Sequence, residues 1–241
     1  MTHQVAGPIS ERLAQLDWQA IEQSLGEYGY AKTSPILTPE ECAALIDLYS
    51  EPNSFRKHVD MERHQFGVGT YQYFTSPLPP LVQALRTAAY PRLAKIANRW
   101  QHALHLPDQY PTSHQQFLRV CHSQGQTKPT PLLLRYEAGG YNCLHQDLYG
   151  AVAFPLQIAC FLSRREHDYT GGEFLLLEQR PRAQSQGMAI STEQGEMLVF
   201  TTRERPVCGT RGYHRRYMRH GVSRVLTGSR YTLGIIFHDA K

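Results

Sequence analysis

The chain has 241 residues, 41% hydrophobic, 10% aromatic and 19% charged, with a formal net charge of +4. That is the composition of a folded chain with room for one full-sized core, and it excludes a disordered tail, a collagen-like fibre and a low-complexity scaffold. The most apolar run, Phe154 to Leu162, is broken by Pro155 and Gln157 and is too short to span a bilayer. The first residues lack the basic start and apolar stretch of a secretory signal. The five cysteines, Cys42, Cys121, Cys143, Cys160 and Cys208, form no C-x-x-C pair, so buried reduced thiols are expected. The expectation is a soluble, cytoplasmic protein with no membrane partner.

In chain order, helices come first. Asp17 can cap a helix through Trp18, Ile21 and Leu25, with Gly26 as its stop. Thr38-Pro39-Glu40-Glu41 is a capping box with proline in the first turn, opening a helix that buries Leu45 and Leu48. Residues 55–74 mix basic and aromatic side chains and suit either a lid stacking on a base or a hairpin facing the core. Leu81, Leu85, Ala88, Ile96 and Trp100 recur at helical spacing, with Pro91 marking a break or kink. From about residue 131 the pattern changes to short apolar runs bounded by turn residues. These are Pro131–Tyr136, Phe154–Ser163, Glu173–Glu178, Met188–Ser191, Glu196–Thr201, Tyr217–Val225 and Tyr231–His238. Strands at this spacing predict a sandwich or jelly roll. The fold class expected is mainly β with N-terminal helices. It would form one domain over 1–241, with 1–130 a mainly helical support and 131–241 the jelly-roll core.

The charged residues are unevenly placed. No Asp or Glu lies between Arg205 and His238, yet Arg205, Arg211, Arg215, Arg216, Arg219, Arg224 and Arg230 do. Arginine forks onto carboxylates and phosphates. The cluster Arg211, Arg215, Arg216, Arg219 and Arg224 reads either as a surface for nucleic-acid phosphates or as a solvated, locally paired basic face.

One pattern carries chemistry. His145-Gln146-Asp147 follows a glycine turn, Gly139-Gly140, which follows the strand ending at Tyr136; His220 and Arg230 come later. Two imidazoles and one carboxylate on one face of a metal make the facial triad of non-haem Fe(II) oxygenases. Residues i and i+2 of an extended segment point the same way, so His145 and Asp147 can grip one ion while His220 reaches it from another strand. H-x-D alone is weak, since about a third of one match is expected by chance in this composition. A second copy, His58-Val59-Asp60, sits in a charged stretch with no strand or glycine turn before it and is assigned to surface or loop. His145 is supported by the preceding strand and turn, by Thr170-Gly171-Gly172-Glu173-Phe174, by Gly195–Phe200 and by the spacing of His220 and Arg230. His214 and His238 are rival third ligands; His214 reads as part of a loop, and His238 lies beyond the arginine.

The order R-Y-x-x-G-G, H-x-D, G-G-x-F, G-x-x-L-x-F, H, R resembles the 2-oxoglutarate/Fe(II)-dependent dioxygenases of the prolyl-hydroxylase-like type, over about residues 130–240. Leu37–Leu48 is similar to a helix opening that often precedes that core. Leu144–Gly150, Gln179–Arg182, Gly209–Tyr213, Arg219–Arg224 and Gly234–Ala240 are similar to a bacterial branch described as oxygenases acting on damaged, alkylated DNA. The resemblance implies a double-stranded β-helix core. It also implies Fe(II) bound by His145, Asp147 and His220, and 2-oxoglutarate whose distal carboxylate pairs with Arg230. Thr232 would add a hydroxyl to that carboxylate, and Tyr136 matches a tyrosine that hydrogen-bonds the cosubstrate. Where prolyl hydroxylases place a second tyrosine on the strand after H-x-D, this chain reads Ala159-Cys160-Phe161. With dioxygen as cosubstrate, the implied reaction is oxidative demethylation of alkylated DNA or other nucleic acid. Substrate contacts are expected from Arg211, Arg215, Arg216 and Arg224. The alternatives are hydroxylation of a protein side chain or a free small molecule, and a non-catalytic cupin-like metal-binding module.

Overall fold

The structure is a computed structural model that describes residues 7–107, 109–147, 150–180 and 182–241. Leu148, Tyr149 and Pro181, which belong to the motif segments above, lie outside the described residues.

The chain builds two antiparallel sheets. In the larger, the order is β1 (Tyr30–Lys32), β11 (Met197–Thr201), β7 (Leu156–Phe161), β14 (Val225–Ile235), β5 (Leu132–Glu137), β4 (Thr70–Phe74) and β2 (Phe55–Asp60), with β8 (Tyr169–Gly171) on the far end of β14. The smaller runs β10 (Gln186–Ile190), β9 (Phe174–Gln179), β13 (Gly212–Val222), β6 (Tyr141–His145) and β3 (Gly67–Val68), with β12 (Glu204–Gly209) also on β13. The described strands form two separate sheets and not a closed barrel.

Side-chain alternation gives the larger sheet two buried faces. Ile158 and Cys160 of β7, Val199 of β11, and Leu233 and Ile235 of β14 pack under five helices. These are α1 (Ile9–Ala14), α2 (Trp18–Tyr28), α3 (Pro39–Asp47), α4 (Pro80–Ala103) and α5 (His114–Ser123). The opposite face sets Ala159, Phe161, Leu198 and Phe200 against Phe174, Leu176 and Met218 of the smaller sheet. Between the sheets, alongside this second core, a cavity of about 410 Å³ remains.

Several expectations change at the level of elements. The Asp17 cap holds, its carboxylate accepting from the Ala20 N–H at 2.9 Å, but the helix runs past Gly26 to Gly29. Gly29 has φ 82°, and a Cβ there would meet Met218 and Arg205 within about 3.1 Å, so it can end the helix where a larger residue would not fit. The Thr38–Glu41 capping box is present. Pro91 neither ends nor interrupts α4; Tyr90, Leu93, Ala94 and Ala97 are all buried around it. Residues 1–130 also contribute β1 to β4, so the larger sheet is completed at both edges by the segment read as helical. In the 55–74 stretch β2 and β4 form a hairpin, Phe55 stacks on the buried Phe74 and β4 continues onto β5, while Phe66, Tyr71 and Tyr73 line the cavity between the sheets. His58 and Asp60 therefore lie on a strand, at the sheet's edge, with His58 exposed. No helix among the described residues is long and apolar enough to cross a membrane.

Candidate metal centre

His145 is the last residue of β6, and antiparallel register sets His220 of β13 directly opposite it. Their ring centroids are 4.2 Å apart. Asp147 lies two residues on, its Oδ1 3.5 Å from His145 Nε2 and its Oδ2 3.1 Å from His220 Nε2. One ligand atom from each residue fits within 4.8 Å of the others. Ligands held at about 2.1 Å on adjacent corners of an octahedron are about 3 Å apart, so the triad has the spacing and donor set of a facial Fe(II) site.

The surroundings fix each ligand. His145 Nδ1–H donates to the Cys143 carbonyl at 2.7 Å, leaving the Nε2 lone pair for a metal. The His220 ring stacks on Phe174 at 6.0 Å and meets Phe200 edge-on at 4.9 Å. Gln146, between the two ligands, donates to the Met218 carbonyl at 2.8 Å, tying the H-x-D segment back to β13. Burial pushes the Asp147 carboxyl upward, but the two imidazoles outweigh it and hold the group well below the usual carboxylate range. Burial pulls the His145 imidazole down, and Asp147 with the Cys143 carbonyl more than reverses that. His220 is lowered by burial and by His145. Among these groups the carboxylate is ionised, as a metal ligand must be.

Deeper in the same cavity lies Arg230, 1% exposed. Its Nη1 donates to Thr232 Oγ1 at 2.8 Å, while Nε and Nη2 have no hydrogen-bond partner among the described residues. The walls are the rings of Tyr136, Phe161 and Tyr169, each within 6 Å of the guanidinium carbon. Gly172 (φ 63°) lets the chain pass beside it, since a Cβ there would lie 2.9 Å from Arg230 Cδ. A buried guanidinium with N–H groups left unpaired is costly, and a carboxylate ligand is a partner that would satisfy them. Tyr136 is fully buried beside it and accepts from Asn142 Nδ2 at 3.2 Å; burial raises its phenol, which stays protonated and able to donate. On the strand after H-x-D, Ala159 lines the cavity, Phe161 packs against the Arg230 guanidinium and Cys160 faces the helices.

The rival histidines fall elsewhere. His214 lies on β13, not in a loop, and is exposed; His238 is buried where its Nδ1 accepts from the Phe154 N–H at 3.1 Å. Register also divides the arginines. Arg215 and Arg219 are exposed, whereas Arg216, on the opposite face of β13, pairs with the buried Glu178. Arg205 and Arg180 converge on the same Glu178. Arg211 is exposed at the tip of the β12–β13 hairpin. Arg224 lies over the Tyr141 ring at 5.2 Å and donates to the Gly139 carbonyl. Asn142, Gln146 and Gln157 of the cavity escaped the sequence reading. For Gln157 a signal existed: a lone amide in the run Leu-Gln-Ile-Ala-Cys-Phe.

Two sheets holding a His-His-Asp triad between them, with a buried cation in the same cavity, define an Fe(II)- and 2-oxoglutarate-dependent oxygenase. The chain belongs to the family described as "Oxygenase, catalysing oxidative methylation of damaged DNA", whose sequence model matches residues 69–240. It is 50% identical over 167 residues to an uncharacterized protein of Mycobacterium tuberculosis, covering 69% of this chain and 72% of that protein. Among solved structures it resembles a prolyl-4-hydroxylase of Pseudomonas putida, with TM-score 0.56 at 14% identity over 93% of this chain and 100% of that one. It also resembles a 2OG-Fe(II) oxygenase family oxidoreductase of Burkholderia pseudomallei, with TM-score 0.54 at 13% identity over 94% of each chain. At such identities the likeness is one of fold: mainly β with N-terminal helices, related to the jelly-roll oxygenases.

Proposed function

We propose that this protein removes alkyl groups from nucleic acid by oxidation, in the cytoplasm, as a single domain with a double-stranded β-helix core. The observation that carries the oxygenase chemistry is Arg230. Its Nε and Nη2 are buried without partners among the described residues, in the cavity that holds the triad. In this reading Arg230 takes the distal carboxylate of 2-oxoglutarate. Thr232 orients the guanidinium and offers its own hydroxyl proton to the same carboxylate. Tyr136, kept neutral by burial, donates its phenol proton to the cosubstrate. Phe161 and Ala159 keep water from that wall of the pocket.

His145, Asp147 and His220 would hold Fe(II) on one face, which leaves positions for cosubstrate and dioxygen. When bound, the iron couples dioxygen reduction and 2-oxoglutarate decarboxylation to insertion of oxygen into a substrate C–H bond. An N-methyl group thus becomes N–CH2OH with formation of succinate and CO2; the C–N bond then breaks, nitrogen keeps a proton and formaldehyde leaves. No methyl donor enters this stoichiometry, so oxidation at a methylated base removes the group.

The family description supports damaged DNA as substrate, and the exposed Arg211, Arg215 and Arg224 support a polyanionic partner. The absence of disulfides among the five described cysteines fits a reducing compartment. The test is turnover of methylated oligonucleotides with Fe(II), ascorbate and 2-oxoglutarate. Succinate and formaldehyde should form in equal amounts, and His145→Ala should abolish both. Succinate coupled to hydroxylation of a peptide, with no formaldehyde from any oligonucleotide, would replace this substrate class with a protein side chain.

A further inference from the structure

The inward faces of β5, β7 and β14 line up in rows. Arg230 is opposite Tyr136; Thr232 is opposite Leu134 and Phe161; Gly234 is opposite Leu132 and Ala159. One more step in the same register brings Ile236 beside Gln157. 2-Oxoglutarate has four C–C bonds of about 1.5 Å, so its carboxylates lie at most about 6 Å apart. Each two-residue row along a strand is about 6.6 Å. A cosubstrate whose distal carboxylate sits on Arg230 and Thr232 therefore reaches no further along the strands than about the Gly234 row. The row of Ile236 and Gln157 beyond it lines the same cavity and lies past that reach. Ala159 and Gly234 carry little or no side chain, so the space stays open. Tyr73 stands beside Leu132 in register, and with Ile236 they pack into one apolar cluster that lines the cavity.

Gln157 brings an amide to this slot. Gln157 is 4% exposed and lines the cavity, and its Nε2 has no hydrogen-bond partner among the described residues. A buried amide left unpaired is costly unless a ligand completes it.

We propose that Gln157 is the specificity-determining residue of a substrate slot shaped for an extruded, alkylated nucleobase. This rests on the nucleic-acid reading above. A base is a flat ring whose edge carries carbonyl and amide groups, and a carboxamide is the side chain whose donor and acceptor match such an edge. A saturated side chain such as a prolyl ring has no edge to pair with it. Tyr73, Leu132 and Ile236 would take the ring faces, and Gln157 would read which base has entered.

The experiment compares wild type, Gln157→Leu and Gln157→Glu on oligonucleotides carrying different methylated bases, reading formaldehyde release. Affinity of the Mn(II)-loaded proteins for 2-oxoglutarate is read in parallel. The expected result is a loss of roughly tenfold or more in kcat/KM for the preferred base, the energy of one buried hydrogen bond. The ranking of bases should be altered in both variants, and 2-oxoglutarate affinity should stay within about twofold. Unchanged kcat/KM and ranking would overturn the slot while leaving the nucleic-acid substrate standing, because formaldehyde would still appear. A parallel fall in 2-oxoglutarate affinity would also overturn it, by placing Gln157 in the cosubstrate pocket. If wild type itself released no formaldehyde from any oligonucleotide, the nucleic-acid reading would fall, and the slot assignment with it.

Discussion

Arg230 is enclosed by three aromatic rings, and the one hydrogen bond it makes among the described residues goes to a neutral hydroxyl. The folded protein thus carries a desolvated cation whose cost falls once an anion arrives. Two effects of opposite sign follow for Arg230→Met. Removing the unpaired charge should leave the metal-free protein at least as stable as wild type, because an apolar side chain of similar length suits that aromatic cage. The same change should raise the KM for 2-oxoglutarate by about a hundredfold or more, since a buried charge pair broken on one side costs about 3–5 kcal/mol. Thermal melting of the metal-free protein and 2-oxoglutarate titration of succinate release check the two halves. A melting temperature lowered by several degrees, with KM unchanged, would make Arg230 a structural cation instead.

On β13 one strand serves two purposes through its alternation. Tyr213, Arg215, Tyr217 and Arg219 lie on one exposed face, a basic and aromatic stripe of the kind that tracks a single-stranded nucleic acid. Met218 and His220 point inward to the core and the metal centre, and Arg216 neutralises Glu178. Reversing Arg215 and Arg219 to Glu should therefore weaken binding of single-stranded DNA. It should also reduce the slope of log affinity against log salt by about 0.7 per lost phosphate contact. The ion pair of Arg215 with Glu204 is at the surface, so stability should change little. Arg216→Gln should do the reverse, lowering stability without flattening the salt slope; filter binding across a salt series separates the two. The same alternation explains what the sequence made legible. β7, β9 and β11 were visible as apolar runs because both or one of their faces are buried. The first half of β13 and β12 were not, because their exposed arginines, tyrosines and histidine give no apolar period. β1 pairs with a strand 170 residues away (Tyr30 opposite Phe200) and β4 with one about 60 residues away (Tyr73 opposite Leu132), which local pattern does not reveal. The triad was readable because two ligands are local and the third keeps a fixed order with an arginine. Gln157 shows in the sequence only as a lone amide in an apolar run, because its place in the cavity depends on the register of three strands.

At the scale of the whole molecule, the C-terminal segment after β14 is clasped between the helices and the larger sheet by a buried polar network. Arg86 of α4 donates to the carbonyls of Ile236 and Phe237 and pairs with Asp239 at 2.8 Å. His114 of α5 donates its Nε2–H to the Phe237 carbonyl at 2.9 Å, and His238 accepts from the Phe154 N–H. Burial, reinforced by the nearby Arg86 cation, lowers both imidazoles to about 4. An unfolded histidine takes up its proton near pH 6.5, whereas these two stay neutral in the fold until about pH 4. Their contribution is therefore fully present above pH 6.5 and is lost as the pH falls from 6.5 to 4. The loss is about 1.4 kcal/mol per pH unit for each group, on the order of 3 kcal/mol each over the window. The buried carboxylates work lower: Glu41 and Glu178 are held below their usual range by their arginine partners against the upward push of burial, so they begin to lose their contribution only below about pH 4.5. In the metal-free protein His145 is raised, so its contribution is already complete below pH 6.5, whereas His220 is lowered and adds to the loss there. Urea midpoints measured from pH 7.5 to 4.5 should accordingly fall steeply below 6.5. His114→Gln keeps an N–H for the Phe237 carbonyl but cannot take up a proton, and should remove its own share of that slope, about 1.4 kcal/mol per pH unit. A midpoint flat across the window, or a slope that Gln leaves untouched, would show that these imidazoles are not what makes the clasp sensitive to acid.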